Sequence, residues 1–292
     1  MNPKIPIICI YHSPCNDGFT AAWAVTHYYR QLGKEVELYP ASYSDNLNPP
    51  IEECRDKLVY IVDFSYPATQ LQMIGDVAKR VILIDHHKTA LSLKTQAFSE
   101  NIELHINMNY SGAMLTWHHF YGPSAVPKLV EYVQDRDMWW KKLEHCDDIH
   151  YTLSSYEPTI ERWDQLAGDI EVFGDRLKLE ADGMAIRRWI EKWMTSYISD
   201  HVREEIIAGY IVPIINAPGI FASDIGNILA ADAPFSVVYS DDSRGTKFSL
   251  RSSKDYDTWV DVSEIAKKYG GGGHPNAAGY YISAVSAHSE TR

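Results

Sequence analysis

The stretch Arg80-Val81-Ile82-Leu83-Ile84-Asp85-His86-His87 decides the fold. Its aliphatic part, Val81–Ile84, has no polar position, which is typical of a strand buried on both faces of a parallel sheet. Further strands, separated by segments with helical periodicity, are predicted at Pro6–Tyr11, Val36–Ala41, Leu58–Val62 and Glu103–Met108. This alternation predicts an α/β domain with a parallel sheet covered by helices.

A second domain is predicted towards the C-terminus. Residues 160–207 have a helical pattern, and a new alternation of strands and helices begins at Tyr210-Ile211-Val212. We therefore expect an N-terminal parallel-sheet domain with a helical connector over residues 1–198. A smaller, mixed α/β domain would follow over residues 205–292.

The composition narrows the range of functions. The chain has 292 residues, 45% of them hydrophobic, and a formal net charge of −12, which argues against a long nucleic-acid groove lined by Lys and Arg. It contains no apolar run of membrane-spanning length, and its N-terminus lacks the features of a signal peptide. The cysteines are scattered without the paired spacing of zinc sites, at Cys9, Cys15, Cys54 and Cys146. These features predict a cytoplasmic protein that binds neither membranes nor long duplex DNA.

Acidic and imidazole side chains stand where the predicted strands and one predicted helix end. The set comprises His12, Asp17, Asp63, Asp85, His86, His87, Asp135 and Asp137. Because ligands bind at the carboxyl ends of strands in parallel sheets, we expect these groups to converge. Several close carboxylates require a cation, and oxygen ligands with some imidazole suit manganese or magnesium better than structural zinc.

Each of these residues taken alone has a simpler interpretation. An Asp after a strand commonly caps a helix or a turn. For Asp137, a salt bridge to a neighbouring Arg is as plausible as metal ligation. The joint pattern is therefore the evidence, and above all Asp85-His86-His87, because such groups are costly to bury without partners.

The run Gly270-Gly271-Gly272-Gly273-His274-Pro275 predicts a backbone loop whose N–H groups approach an anion such as phosphate. A flexible loop without a ligand is the alternative for the glycines alone. His274 and Asn276 would add side-chain hydrogen bonds to the anion.

Together these motifs resemble those of the DHH phosphoesterase superfamily. Asp85-His86-His87 matches the motif that names the family, Ile61-Val62-Asp63-Phe64-Ser65 resembles its second motif, and Asp135 matches its fourth. Gly271-Gly272-Gly273-His274, followed by Ala277-Ala278-Gly279, matches the signature of the C-terminal DHH-associated domain. The resemblance covers nearly the whole chain.

The resemblance implies two α/β domains with a cleft between them and a pair of Mn²⁺ ions, with Mg²⁺ or Co²⁺ as alternatives. It implies that Asp63 bridges the ions, and that the further ligands are His12, Asp17, His86 and Asp135. The implied catalytic residues are Asp85, His86 and His87, with Asp85 orienting a neighbouring histidine. The implied substrate-binding residues are Arg251, Gly271, Gly272, Gly273, His274 and Asn276.

Cys15 departs from the family pattern. The first motif of the family supplies a His or Asp and then two Asp residues, whereas this chain has His12-Ser13-Pro14-Cys15-Asn16-Asp17-Gly18. Aligning Asp17-Gly18 puts Cys15 where the first Asp would stand. Either Cys15 ligates as a thiolate, which suits manganese poorly, or it stands beside the site, so one or two ions remain alternatives.

The hypothesis from the sequence is a metal-dependent phosphodiesterase that hydrolyses short oligonucleotides or dinucleotides. The alternatives are a phosphohydrolase acting on polyphosphate or pyrophosphate, and a non-catalytic nucleotide sensor. The expected partner is a short nucleic acid or nucleotide, and a homodimer is one alternative for the oligomeric state.

Overall fold

The computed structural model describes residues 5–43 and 48–284. The chain divides into two compact units, Met1–Trp189 and Ile190–Arg292. This division lies nine residues before residue 198, where the sequence places the end of the first domain. The limits 1–198 and 205–292 remain predictions about independent domains.

The first unit contains a five-stranded sheet in which all neighbouring strands are parallel. Its strands are β1 (Ile7–His12), β2 (Glu37–Ala41), β3 (Leu58–Val62), β4 (Arg80–Asp85) and β5 (Ile102–Ile106). They are arranged in the order β2-β1-β3-β4-β5, so β1, β3 and β4 occupy the centre. The parallel sheet predicted from the apolar runs is confirmed.

Helices connect and follow these strands. They are α1 (Asn16–Gln31), α2 (Ile51–Cys54), α3 (Ala68–Val77), α4 (Gly112–Tyr121), α5 (Lys128–Asp137), α6 (Cys146–Ser155), α7 (Ile160–Glu171) and α8 (Phe173–His201). Within the described ranges, none of the helices is both long and apolar enough to cross a membrane.

The hydrophobic core lies on both faces of this sheet. Ile82 and Ile84 of β4 belong to one buried cluster, which includes Trp163 of α7, whereas Val81 and Leu83 belong to a cluster on the opposite face. Side chains alternate between faces along a strand, so a strand covered on both sides needs apolar residues at every position. This explains the uninterrupted run and leaves its polar end, Asp85, at the sheet edge.

The second unit contains a six-stranded mixed sheet. Its elements are β6 (Arg203–Ile207), β7 (Tyr210–Asn216), α9 (Ala222–Ala230), β8 (Ser236–Asp242), β9 (Gly245–Arg251), α10 (Val262–Lys268), β10 (Gly272–His274) and β11 (Ala277–Ser283). The strand order is β10-β11-β9-β8-β7-β6, with only the β7–β8 pair parallel among these described strands. The predicted mixed α/β architecture is confirmed.

The predicted helical segment up to residue 207 is wrong at its end. Helix α8 stops at His201, and β6 forms a hairpin with β7. The two turn residues, Ala208 and Gly209, both have positive φ angles, 52° and 87°. That combination belongs to the type I′ turn, whose twist matches a two-residue hairpin, and Gly209 was its local signal.

The glycine run is not entirely a loop. Gly272–His274 forms β10 and pairs with β11, with Gly273 opposite Ala278. Gly273 has a φ of +137°, and a Cβ at this position would lie 2.5 Å from the carbonyl oxygen of Ala277. Glycine therefore allows the two backbones to approach closely, in addition to any contact with a ligand.

Candidate metal centre

Asp63 is the central residue of the site at the carboxyl edge of the parallel sheet. It follows β3 directly, has a φ of +54° and is 1% exposed. Three groups of potential metal ligands share it, and within each group the ligand atoms lie within 4.8 Å of one another. The groups are Asp17 with His86, His12 with Cys15, and Asp85 with His87. The left-handed conformation, which Asp adopts more readily than most residues, is thus found at the residue on which the site converges.

Asp17 is held by the beginning of α4. Its two carboxylate oxygens accept hydrogen bonds from the backbone N–H groups of Gly112 (2.7 Å) and Ala113 (2.9 Å). The Ser111 side chain caps the same helix by accepting from the N–H of Met114. Asp17 therefore satisfies two N–H groups that the helix itself leaves unpaired, and its negative charge is stabilised by the helix dipole.

Gly112 is required by the close approach of α4 to Asp63. A Cβ at Gly112 would lie 2.5 Å from the Cβ of Asp63 and 2.9 Å from its Cα. Because one of these atoms belongs to the backbone, a rotamer change could not relieve the overlap. Gly112 thus lets the α4 N–H groups reach Asp17 while the same turn packs on Asp63.

The Asp85 side chain organises the two histidines that follow it. Its Oδ1 accepts hydrogen bonds from the backbone N–H groups of His86 (2.7 Å) and His87 (3.2 Å), and from Nδ1 of His87 (2.7 Å). The His86 ring points the other way, with Nε2 at 3.1 Å from Oδ1 of Asp63 and 3.7 Å from Oδ2 of Asp17. Asp85 therefore fixes the strand end so that the two imidazoles have different surroundings.

Asp137, at the end of α5, joins this cluster, whereas Asp135 does not. Oδ2 of Asp137 lies 3.6 Å from Nε2 of His86. The two oxygens of Asp135 instead accept hydrogen bonds from the backbone N–H groups of Lys142 (3.0 Å) and Leu143 (2.9 Å). The Asp135 carboxylate thus faces the loop after α5, whereas that of Asp137 faces His86. Arg136, the neighbouring arginine considered as a salt-bridge partner of Asp137, forms an ion pair with Asp147.

Burial and neighbouring charges shift the pKa values of Asp17 and Asp63 in opposite directions. Burial, followed by the charges of Asp63 and Asp137, raises the pKa of Asp17 well above its usual value. Burial alone would also raise the pKa of Asp63, but the imidazoles of His12 and His86 beside it hold that pKa below its usual value. Burial opposes charge on His86, yet the three neighbouring carboxylates outweigh it and raise its pKa well above the usual range. Positive charge is thus what this cluster lacks.

Cys15 lies beside the cluster as the residue that precedes α1. Its thiol belongs to the group formed with His12 and Asp63. Burial, followed by the charges of Asp63, Asp137 and Asp17, raises the pKa of this thiol well above its usual value. Carboxylate and imidazole groups are also the donors that hard divalent cations prefer to a thiol.

The donor set fits a hard divalent cation. Within the described part of the chain, Oδ2 of Asp85 is buried without a hydrogen bond, and Oδ1 of Asp63 has no hydrogen bond of good geometry, only the ion-pair contact with Nε2 of His86. An unpaired buried carboxylate oxygen is costly, and a cation at Asp63 would remove that cost. Carboxylate oxygens with imidazole nitrogens are typical ligands of manganese and magnesium.

The predicted substrate-binding residues of the second unit lie next to one another in its sheet. Arg251 of β9 is paired with Ala277 of β11, which is paired in turn with His274 of β10. The Asn276 carbonyl, in the turn between β10 and β11, accepts a hydrogen bond from the N–H of Ser252. The Arg251 guanidinium is held by the hydroxyl of Ser223 at 2.7 Å. Arg251, His274 and Asn276 thus lie at one end of the three neighbouring strands β9, β11 and β10.

Comparisons with known proteins identify a family for the second unit and relatives of most of the chain. Residues 216–290 match the DHHA1 domain family. An uncharacterized protein of Acanthamoeba polyphaga mimivirus is 28% identical over 300 residues, covering 95% of this chain and 68% of its own length. Oligoribonuclease NrnB of Bacillus subtilis (strain 168) is 28% identical over 279 residues, covering 86% of this chain and 67% of its own.

Solved structures share the fold. A DHH domain described as belonging to a family of ribosomal proteins has a TM-score of 0.61 at 15% identity, covering 95% of this chain and 83% of its own. RecJ from Thermus thermophilus in complex with Mn²⁺ has a TM-score of 0.50 at 13% identity, covering 95% of this chain and 49% of its own. At these identities the likeness concerns the fold alone.

Proposed function

We propose a function for this chain from its membership of the DHH superfamily, to which its motifs, its fold and its C-terminal DHHA1 domain assign it. The function is metal-dependent hydrolysis of phosphodiester bonds in short oligonucleotides or dinucleotides. The observation that carries it is the convergence of three groups of potential ligands on the buried Asp63. The similarity to an oligoribonuclease supports the substrate class.

We assign the metal ligands from the geometry of the cluster. One or two Mn²⁺ ions would be held by Asp63, Asp17, Asp137, His12 and His86. Such ions supply positive charge for the phosphate oxygens and activate water for attack. Asp137 takes the place in this set that the sequence motif assigned to Asp135.

Residues of the chain itself would position the ligands and move a proton. The backbone N–H groups of Gly112 and Ala113 hold Asp17 in place, and Asp85 holds His87. Burial disfavours charge on His87, but the Asp85 carboxylate outweighs burial and raises the pKa of His87. This shift favours the protonated form of His87, the form that would donate a proton to the leaving oxygen.

The test is hydrolysis of a panel of substrates with and without Mn²⁺. The panel contains RNA and DNA dinucleotides, longer single strands, a cyclic dinucleotide and inorganic polyphosphate. Asp63→Ala and His86→Ala should each lower the rate on the preferred dinucleotide at least about 100-fold. His105→Ala is the control, because His105 pairs with Glu103 on β5 and is absent from the ligand groups around Asp63. Full activity of Asp63→Ala, or polyphosphate as the preferred substrate, would contradict the proposal.

A further inference from the structure

The loop after α5 presents two exposed tryptophans beside the metal centre. Trp139 and Trp140 are 38% and 41% exposed, and they follow Asp137 by two and three residues. The Cα atom of Trp139 can be at most about 7 Å from that of Asp137. Large aromatic side chains are usually buried, so two adjacent exposed tryptophans beside a candidate site require an explanation.

This loop is rigidly anchored. The backbone N–H groups of Trp140 and Lys141 donate to the carbonyl oxygen of Asp135, at 3.0 and 3.2 Å. The next two N–H groups donate to the carboxylate of the same residue. Asp135, whose carbonyl and carboxylate both accept hydrogen bonds from this loop, thus acts as its anchor. The exposure of the tryptophans is therefore a property of a fixed backbone and not of a mobile one.

The anchored backbone also holds its residues in an unfavourable conformation. Trp139 has a φ of +57° and Lys141 a φ of +49°, in the left-handed region that bulky residues rarely adopt. Strain of this kind is found most often at ligand-binding and active sites. The loop backbone is thus strained at Trp139 and Lys141, and both indole rings nevertheless stay at the surface.

Cationic side chains lie over the two rings, and one of these side chains also lines a cavity beside the metal centre. The Arg136 guanidinium and the Lys141 ammonium each lie 4.1 Å from the ring centre of Trp139, and Lys142 lies 5.2 Å from that of Trp140. Arg136 also lines a cavity of about 70 Å³ to which Asp17 and Asp137 contribute. Arg136 therefore contacts the Trp139 ring and also lines a cavity shared with carboxylates of the metal centre.

We propose that Trp139 and Trp140 form a stacking surface for the nucleobases on either side of the scissile phosphate. Aromatic rings with interleaved cations are the usual means of binding single-stranded nucleic acid, since bases stack on the rings while Lys and Arg attract the phosphates. Polyphosphate has no ring to stack, so the surface selects a nucleotide substrate. This inference rests on the proposed phosphodiesterase function and adds the residues that would distinguish between its substrates.

The experiment compares substrates with and without bases. An adenine dinucleotide is compared with the two analogues in which one base is replaced by hydrogen, using parent, Trp139→Ala and Trp140→Ala proteins with Mn²⁺. At least one Ala variant should lower kcat/KM for the complete dinucleotide roughly 5–150-fold, the equivalent of ~1–3 kcal/mol per stacked base at 1.36 kcal/mol per tenfold. The same variant should leave kcat/KM almost unchanged for one of the base-deleted analogues.

Two controls separate stacking from folding. Trp140→Phe should retain most of the activity that Trp140→Ala loses, because a phenyl ring still stacks. Trp189→Ala removes another exposed tryptophan, 67% exposed on α8, and should leave the ratio between complete and base-deleted substrates unchanged. Equal losses on complete and base-deleted substrates would overturn the stacking surface even if hydrolysis itself is confirmed.

The stacking surface can also be tested by binding, in case the proposed hydrolysis is not observed. If the parent hydrolyses no dinucleotide, binding of the adenine dinucleotide is measured by quenching of tryptophan fluorescence. Loss of quenching in Trp139→Ala or Trp140→Ala would support the stacking surface without catalysis. Quenching equal to that of the parent in both variants would overturn it.

Discussion

Replacing Gly112 by Ala tests whether the metal centre depends on the close approach of α4. At an ordinary helical glycine, alanine stabilises the folded protein by about 0.5–1 kcal/mol. At Gly112 the new Cβ would lie 2.5 Å from the Cβ of Asp63 and 2.8 Å from its Oδ1 atom, far inside van der Waals contact. We therefore expect the opposite sign, a destabilisation of about 1–3 kcal/mol, which is typical of overpacking.

The same change should weaken metal binding and catalysis. Moving the first turn of α4 away from Asp63 also displaces the N–H groups of Gly112 and Ala113 that hold Asp17. A displacement of about 1 Å at a catalytic constellation lowers the rate on the order of 100-fold. We expect such a loss in kcat, together with a smaller rise in melting temperature when Mn²⁺ is added.

The matched control for this experiment is Gly168→Ala in α7. A Cβ at Gly168 would meet no atom within 4 Å, so this variant should follow the ordinary rule and gain about 0.5–1 kcal/mol. Thermal unfolding of both variants, with and without Mn²⁺, gives the comparison. If Gly112→Ala melted at or above the parent temperature and bound Mn²⁺ normally, the packing argument would be refuted.

Two further predictions concern the carboxylates and the cation. Asp137→Asn should weaken Mn²⁺ binding at little cost to folding. Asp135→Asn should instead destabilise the fold by about 1–3 kcal/mol, because its amide NH₂ would face a backbone N–H. Metal titration and thermal unfolding distinguish the two variants, and the reverse pattern would restore Asp135 as the ligand. Removing the metal with a chelator should lower the melting temperature, and adding Mn²⁺ should restore it. At a free Mn²⁺ concentration of a hundred times the dissociation constant, the free energy of unfolding should rise by about 2.7 kcal/mol. A melting temperature that does not respond to Mn²⁺ would contradict a metal site.

The fold could be predicted because its signals are local. The run Val81–Ile84 requires apolar neighbours on both sides, and that requirement alone implies a sheet covered by helices. The end of α8 was missed because the residues that follow it, Arg203–Ile207, become a strand only by pairing with β7. Strand propensity depends on the partner strand, so a short polar strand has a weak signal in the sequence.

The candidate site could be predicted only in part. Asp85-His86-His87 is contiguous, and its hydrogen bonds are formed within the motif itself. The choice between Asp135 and Asp137 could not be read from the sequence, because two residues on one helix point in different directions and both are acidic. Gly112 carries no sequence signal either, since its role is to allow contact with Asp63, which lies 49 residues earlier in the chain.

The sequence by itself determined the parallel sheet, the position of its carboxyl edge and the residue types collected there, because periodicity and strand ends are properties of neighbouring residues. The tertiary structure alone decided which carboxylates face one another. It directed Asp137 to the cluster and Asp135 to the loop, and it placed the α4 N–H groups on Asp17. Contacts of this kind depend on the packing of distant segments to within a few tenths of an ångström, which a linear pattern does not contain.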